Sequence, residues 1–237
     1  MLNTQAQLKT ELHIHTNLDP KDTSIRYTNK QIIDEMYKRG YHVIGITCHD
    51  KNFDDNNAIK YAKTKGITLI EGIEKTINKQ HVLIYNAPKE EVEKIKSLNQ
   101  LQTLKNNNPQ MLIIAPHPYF IHSSCLKDNI KKYKTLFDAY EISFFYLKNF
   151  NLNKKTIKMA QKYNKPLVGN CDVHNLNFQG NVYTLINSSN NKKDIINAIK
   201  QNKTIVIKHP LTKTKFFKIL LNAIFNILNP LKKTKFN

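Results

Sequence analysis

Arginine is scarce in this chain: Arg26 and Arg39 are the only two among 37 basic residues. The formal charge of +19 therefore rests on lysine. Such a charge invites a nucleic-acid partner. Lysine, asparagine and isoleucine rise together, however, in runs such as Lys105-Asn106-Asn107-Asn108 and Asn190-Asn191-Lys192-Lys193, as A/T-rich coding also produces. A generally basic, solvated surface is the other reading. Cysteine is sparse too. Cys48, Cys125 and Cys171 contain no Cys-x-x-Cys pair, which excludes a disulfide framework and a thiolate zinc site. No run reaches the roughly 18 apolar residues of a membrane span. Met1 to Lys9 lacks the apolar core of a signal peptide, so a cytoplasmic address is expected. There is no Gly-rich phosphate loop and no Gly-x-Ser-x-Gly elbow, which leaves nucleoside-triphosphatase and serine-hydrolase readings without a carrier.

What is present is an alternation of short apolar runs and longer amphipathic ones over 237 residues, enough for one large domain with a tail. Strand-like runs are Val43–Thr47, Ile67–Ile70, Val82–Tyr85, Met111–Ala115, Ala139–Ser143, Pro166–Gly169 and Val182–Ile186. Helical periodicity falls between them. Ile32, Ile33, Met36 and Tyr37 mark one face behind a Thr28-Asn29 cap. Further helices are expected over Lys89–Leu104, Asn153–Tyr163 and Asp194–Lys200. Strands alternating with helices imply an α/β fold with a mainly parallel sheet or barrel. Composition breaks near Lys208-His209-Pro210. The reading is thus a domain over 1–207 and a helical basic and apolar tail over 208–237, built on Phe216-Phe217-Lys218-Ile219-Leu220-Leu221.

Histidines and acids recur near the ends of the strand-like runs. His13 and His15 lie two apart on a short strand, so both point to one face and can grip one metal ion. His49-Asp50, Gly72-Ile73-Glu74, His81, Pro116-His117-Pro118 and Asp172-Val173-His174 follow in order. In a βα barrel, strand ends converge on the face that carries the active site. Imidazole and carboxylate donors without thiolate suit Zn, Mn or Fe.

These segments resemble the PHP domain, named for polymerase and histidinol phosphatase. Glu11-Leu12-His13-Ile14-His15-Thr16 looks like the family's Asp-Leu-His-x-His-Thr, and Ile46-Thr47-Cys48-His49-Asp50 like its Ile-Thr-Asp-His-Asp. Gly72-Ile73-Glu74 matches Gly-x-Glu, and His81-Val82-Leu83 is similar to its His-x-Leu strand. Ala115-Pro116-His117-Pro118 resembles Ala-His-Pro with one extra proline. Gly169-Asn170-Cys171-Asp172-Val173-His174 looks like Gly-Ser-Asp-Ala-His. The likeness runs over roughly residues 9 to 207. It implies a distorted (βα)7 TIM-like barrel with a metal cluster at the C-terminal strand ends.

The resemblance also implies a function: a metal-dependent phosphoesterase that hydrolyses a phosphate mono- or diester with a metal-activated hydroxide. Two to three divalent metals are expected. One would take His13, His15, Glu74 and Asp172. A second would share Glu74 with His81 and His117. A third would take His49, His174 and an acid of the loop after His15, Asp22 with Asp19 as the alternative. Glu74, Asp172 and His174 are the catalytic candidates. Arg26 and Tyr119 are the substrate-binding candidates, Arg26 against a plain surface role and Tyr119 against core packing. Cys48 replaces the family's usual Asp, as a residue behind the metals or a simple buried thiol. Glu141 has a structural or a site role. The expected partner is a phosphorylated small molecule. A nuclease acting on nucleic-acid ends, and a non-catalytic basic module that keeps a structural metal barrel, are the alternatives. For the tail, contact with an anionic membrane surface stands beside packing on the barrel or self-association.

Overall fold

The computed structural model describes residues 7–228. In chain order the elements are β1 (Gln7–Ile14), α1 (Asn29–Lys38), β2 (Val43–Ile46), α2 (Asn56–Thr64), β3 (Thr68–Ile77), β4 (Gln80–Tyr85), α3 (Lys89–Lys94) and α4 (Leu98–Asn107). Then come β5 (Leu112–Ala115), α5 (Asn129–Lys132), β6 (Ala139–Ser143), α6 (Asn153–Tyr163), β7 (Leu167–Asn170), β8 (Val182–Asn187), α7 (Lys192–Lys200), β9 (Thr204–Lys208) and α8 (Lys213–Leu228).

The strands form one sheet in the order β7-β6-β5-β4-β3-β2-β1-β8-β9, curled into a nearly closed barrel. The expectation of a mainly parallel sheet is corrected: β3–β4, β4–β5, β1–β8 and β8–β9 are antiparallel. A tight turn at Asn78 and Lys79, both left-handed, folds β4 straight back on β3 where a helical crossover would keep strands parallel.

The barrel closes without a full ladder. At the upper end, Val173 N–H donates to the His13 carbonyl and His15 N–H to the Val173 carbonyl. Below, side chains take over. Leu12 N–H donates to Asn170 Oδ1 and Cys171 N–H to Glu11 Oε2. Thr184 Oγ1 accepts from Gly169 N–H and donates to its carbonyl. The interior is filled by Leu12, Val43, Ile70, Leu83, Tyr85 and Ile114, all buried. Gly72 makes room for Tyr85: a Cβ there would lie 2.6 Å from that ring.

The helices cover the outer faces. Thr28 and Gln31 close a capping box on α1, whose buried side is Ile32, Ile33 and Met36; Tyr37 points outward instead of sharing that face. The expected helix over Lys89–Leu104 is two helices. The break comes at Ile95–Ser97, where Ser97 and Gln100 start α4 with a second capping box. The expected boundary after residue 207 falls at the end of β9. The chain does not leave the barrel there, because Leu211 and Phe216 are both buried. The end of the tail, 229–237, and the polar start, 1–6, lie outside the described residues.

Candidate metal centre

Six histidines and two acids meet at one end of the barrel. His13 is the penultimate residue of β1, and His15 follows the strand; both are fully buried. His49 follows β2, Glu74 lies within β3, His81 within β4, and His117 follows β5. Asp172 and His174 follow β7. Asp50, His117 and Asp172 adopt left-handed backbone conformations, which non-glycine residues seldom do outside constrained sites.

The centre of the cluster is a pair of carboxylates. His13 Nε2 lies 3.4 Å from Glu74 Oε2 and 3.2 Å from Asp172 Oδ1. His15 Nε2 lies 3.4 Å and 3.3 Å from the same two atoms. Neither Nε2 has a hydrogen-bond partner, although both are buried. Unpartnered buried nitrogens are costly unless something else satisfies them. A tetrahedral first-row cation with ligands at about 2.0–2.1 Å spaces its ligand atoms about 3.3 Å apart. The four measured separations fit that.

Glu74 gathers the rest. His49 Nε2 is 3.0 Å from Oε2, His81 Nδ1 donates to Oε1 at 2.7 Å, and His117 Nε2 is 3.7 Å from Oε1. Glu74 is therefore placed between the first expected ligand group and the second. The third expected group is divided. His174 Nε2 faces Asp172 Oδ1 at 3.1 Å, whereas His49 faces Glu74. Cation-sized groupings join His15, Asp172 and His174 on one side and His49, Glu74 and His81 on the other.

An outer ring of acceptors fixes these rings. His13 Nδ1 is 3.0 Å from Glu141 Oε2. His15 Nδ1 and His49 Nδ1 both meet Asp19 Oδ2, at 2.7 and 2.8 Å. His174 Nδ1 meets Asp22 Oδ2 at 2.9 Å, and His117 Nδ1 lies 3.5 Å from the Cys125 thiol. Each of these five rings thus anchors Nδ1 outward and aims Nε2 at the acids, the arrangement that orients imidazoles for a metal, whereas His81 presents Nδ1 to Glu74. Among the imidazoles Asp22 meets His174 alone, its other oxygen accepting from Ser24, and Asp19 joins two rings. Glu141 also accepts from Asn170 Nδ2 and His117 N–H.

Charge follows this geometry. Burial favours a neutral Glu74, but His13, His117 and His49 outweigh it and hold the carboxyl well below its usual range. Asp172 is held low in the same way by His13 and His174. Burial lowers the His49 imidazole, yet Asp19 and Glu74 lift it to about 9. Asp172 and Asp22 lift His174 to about 10 against the same burial. His15 moves the other way, lowered by burial and by His174. A pocket with so strong a preference for positive charge is suited to cations.

The remaining candidates separate. Tyr119 is buried in the hydrophobic core, with Lys155 Nζ 4.4 Å from its ring centroid. Arg26 is exposed on the loop after Asp22. Lys21, on the same loop, ties to Asp50 and to Thr76 Oγ1 and is a cation that the motif reading passed over. Cys48 is a buried thiol beside Thr16 Oγ1, raised by burial.

Solved structures share this architecture. A two-domain protein from Bacteroides vulgatus, described as containing a predicted PHP-like metal-dependent phosphoesterase, superposes with a TM-score of 0.67 at 15% identity, over 92% of this chain and 70% of that one. By fold, this chain is similar to a PHP-like domain. A family model described as PHP-associated matches residues 151–204, the stretch that carries Asp172 and His174. PsfC from Pseudomonas syringae aligns with a TM-score of 0.61 at 15% identity, over 92% of this chain and 97% of its own. An amidohydrolase from Chromobacterium violaceum, solved with sulfate and no metal, aligns with a TM-score of 0.53 at 12% identity, over 70% and 87%. No curated protein sequence matches this chain.

Proposed function

We propose that this chain is a PHP-type hydrolase of phosphate mono- or diesters that works with two to three divalent cations, Zn, Mn or Fe. The observation that carries the reading is the convergence of the unpartnered, buried Nε2 atoms of His13 and His15 on Glu74 and Asp172. His13, His15, Glu74 and Asp172 would hold one cation, and Glu74, His81 and His117 a second. His49 and His174 complete the set, with Asp19 and Asp22 as the acids behind them. When bound, such cations neutralise phosphate oxygens and lower the pKa of a water.

The chain's own contribution is placement. Glu141, Asp19 and Asp22 keep the imidazole tautomers fixed, so the donors need no reorganisation during reaction. Asp172 and His174, a hydrogen-bonded pair at the open side of the cluster, are about one third exposed and positioned to exchange a proton with an entering ester. Lys21 and Arg26 lie on the loop after His15, where a cation can meet a phosphate.

The test is elemental analysis of protein purified without chelator and reloaded with Mn or Zn, run beside a panel of phosphate mono- and diesters. Two to three metals per chain, an estimate from the imidazole and carboxylate donor set, and hydrolysis that chelator abolishes are expected. Metal at background in every preparation would overturn the reading.

A further inference from the structure

Seven large hydrophobic side chains are exposed among the described residues, and five of them lie at the end of the barrel that carries the imidazoles. Leu18 follows β1, Ile121 follows β5 and Phe150 follows β6, so all three sit on loops that leave the ligand-bearing strand ends. Phe217 and Leu221 belong to α8. β9 runs antiparallel to β8 with Lys208 opposite Val182, and β8 runs antiparallel to β1. The chain therefore leaves the sheet at the same end.

Aromatic contacts fasten α8 there. The buried ring of Phe216 stacks on Phe145 at 4.2 Å and meets Phe150 at 6.0 Å. Phe145 in turn meets Phe120, on the loop after His117, at 5.8 Å. One side of the helix is thus anchored beside the metal centre. Phe217 and Leu221 remain 54% and 62% exposed, and Ile121 is 70% exposed.

The same rim is basic. Lys148, Lys213, Lys215 and Lys218 are exposed around the apolar residues, and α8 contains no acid. Of the acids on the loops at this end, Asp22 and Asp172 are turned to His174, Asp50 pairs with Lys21, and the exposed Asp54 and Asp128 pair with Lys89 and Lys131. No described helix is long and apolar enough to cross a membrane. An apolar set edged by lysines fits the boundary between headgroups and acyl chains, with the lysine heads kept among anionic headgroups. A protein seated on this rim would cap the metal centre, whereas a bilayer presents small phosphorylated headgroups to it.

We infer that this face docks on an anionic lipid surface and that the metal centre takes its phosphate ester from the headgroup layer. The second half rests on the phosphoesterase reading; the docking does not.

The experiment sediments the full-length protein with vesicles of phosphatidylcholine, with and without phosphatidylglycerol. Hydrolysis of p-nitrophenyl phosphate is followed in parallel. A Phe217→Glu/Leu221→Glu variant is compared, with Lys213→Glu/Lys215→Glu/Lys218→Glu as a second variant should the first alter the circular dichroism. The wild type is expected to bind anionic vesicles at least about tenfold more tightly than neutral ones, weakening in high salt. Either variant should lose that binding while hydrolysing the soluble ester as the wild type does. Wild-type protein that stays in the supernatant, binds both vesicles alike, or is matched by its variants would overturn the docking. So would light scattering that shows a dimer split by Phe217→Glu/Leu221→Glu, since a second copy would then cover the face. Vesicle binding without hydrolysis of any ester would remove the phosphoesterase reading and leave the docking standing.

Discussion

Glu74 and Glu11 are both buried glutamates of barrel strands, one in the layer of imidazoles and one in the layer beneath. Their carboxyls go opposite ways. Glu74 is ringed by His13, His15, His49, His81 and His117 and is held well below its ordinary pKa. Glu11 accepts from the His13 and Cys171 N–H groups, but burial outweighs these bonds and pushes its carboxyl well above the usual range. Burial alone therefore does not make a site. The same side chain is an electrostatic centre where cations can gather and a strand-to-strand clasp where only backbone meets it.

Substitutions can break this comparison, and the largest effect belongs to Glu74. Glu74→Gln should lower hydrolysis at least about 100-fold, with metal content reduced and circular dichroism retained, as loss of a metal or its activated water does. Full activity in that variant would refute a bridging role. Asp19→Asn leaves the inner donors intact but disturbs two rings at once. It should weaken metal affinity about 10–100-fold in a chelator competition; unchanged affinity would make Asp19 a bystander. Lys21→Ala or Arg26→Ala should raise KM about fivefold with kcat kept, on the scale of one exposed charge pair. If neither changes KM, the loop does not meet the phosphate. Glu11→Gln sharpens the contrast from the other side. An amide N–H₂ would face a backbone N–H, so urea unfolding should show a loss of about 1–3 kcal/mol, with metal content unchanged. Metal lost from Glu11→Gln would mean that the two layers are not separate.

The chain order of the donors was legible in the sequence because each lies at or near a strand end, and a strand end is a local pattern of apolar run and break. The barrel was legible for the same reason, and α6 spans the residues its periodicity marked. What was not legible is long-range. Nothing near His13 in the sequence announces Glu141, and nothing near Gly169 announces Thr184. The left-handed backbone at Asp50, His117 and Asp172 is set by tertiary packing and has no residue signature. The antiparallel β4 was missed because alternation alone does not separate a hairpin from a crossover. The break before α4 was readable: Ser97-Leu98-Asn99-Gln100 has the spacing of a capping box.

The clasp between Glu11 and Cys171 spans 160 residues of chain. His13 and His15 belong to its early side, Asp172 and His174 to its late side. The donor set therefore assembles only when this long loop closes, a slow, entropically costly event for a folding chain. A cation held across that seam acts as a staple between the first strand and the seventh. Loading should consequently slow unfolding far more than it speeds folding, so chelation would turn a kinetically durable barrel into one that opens from its ends.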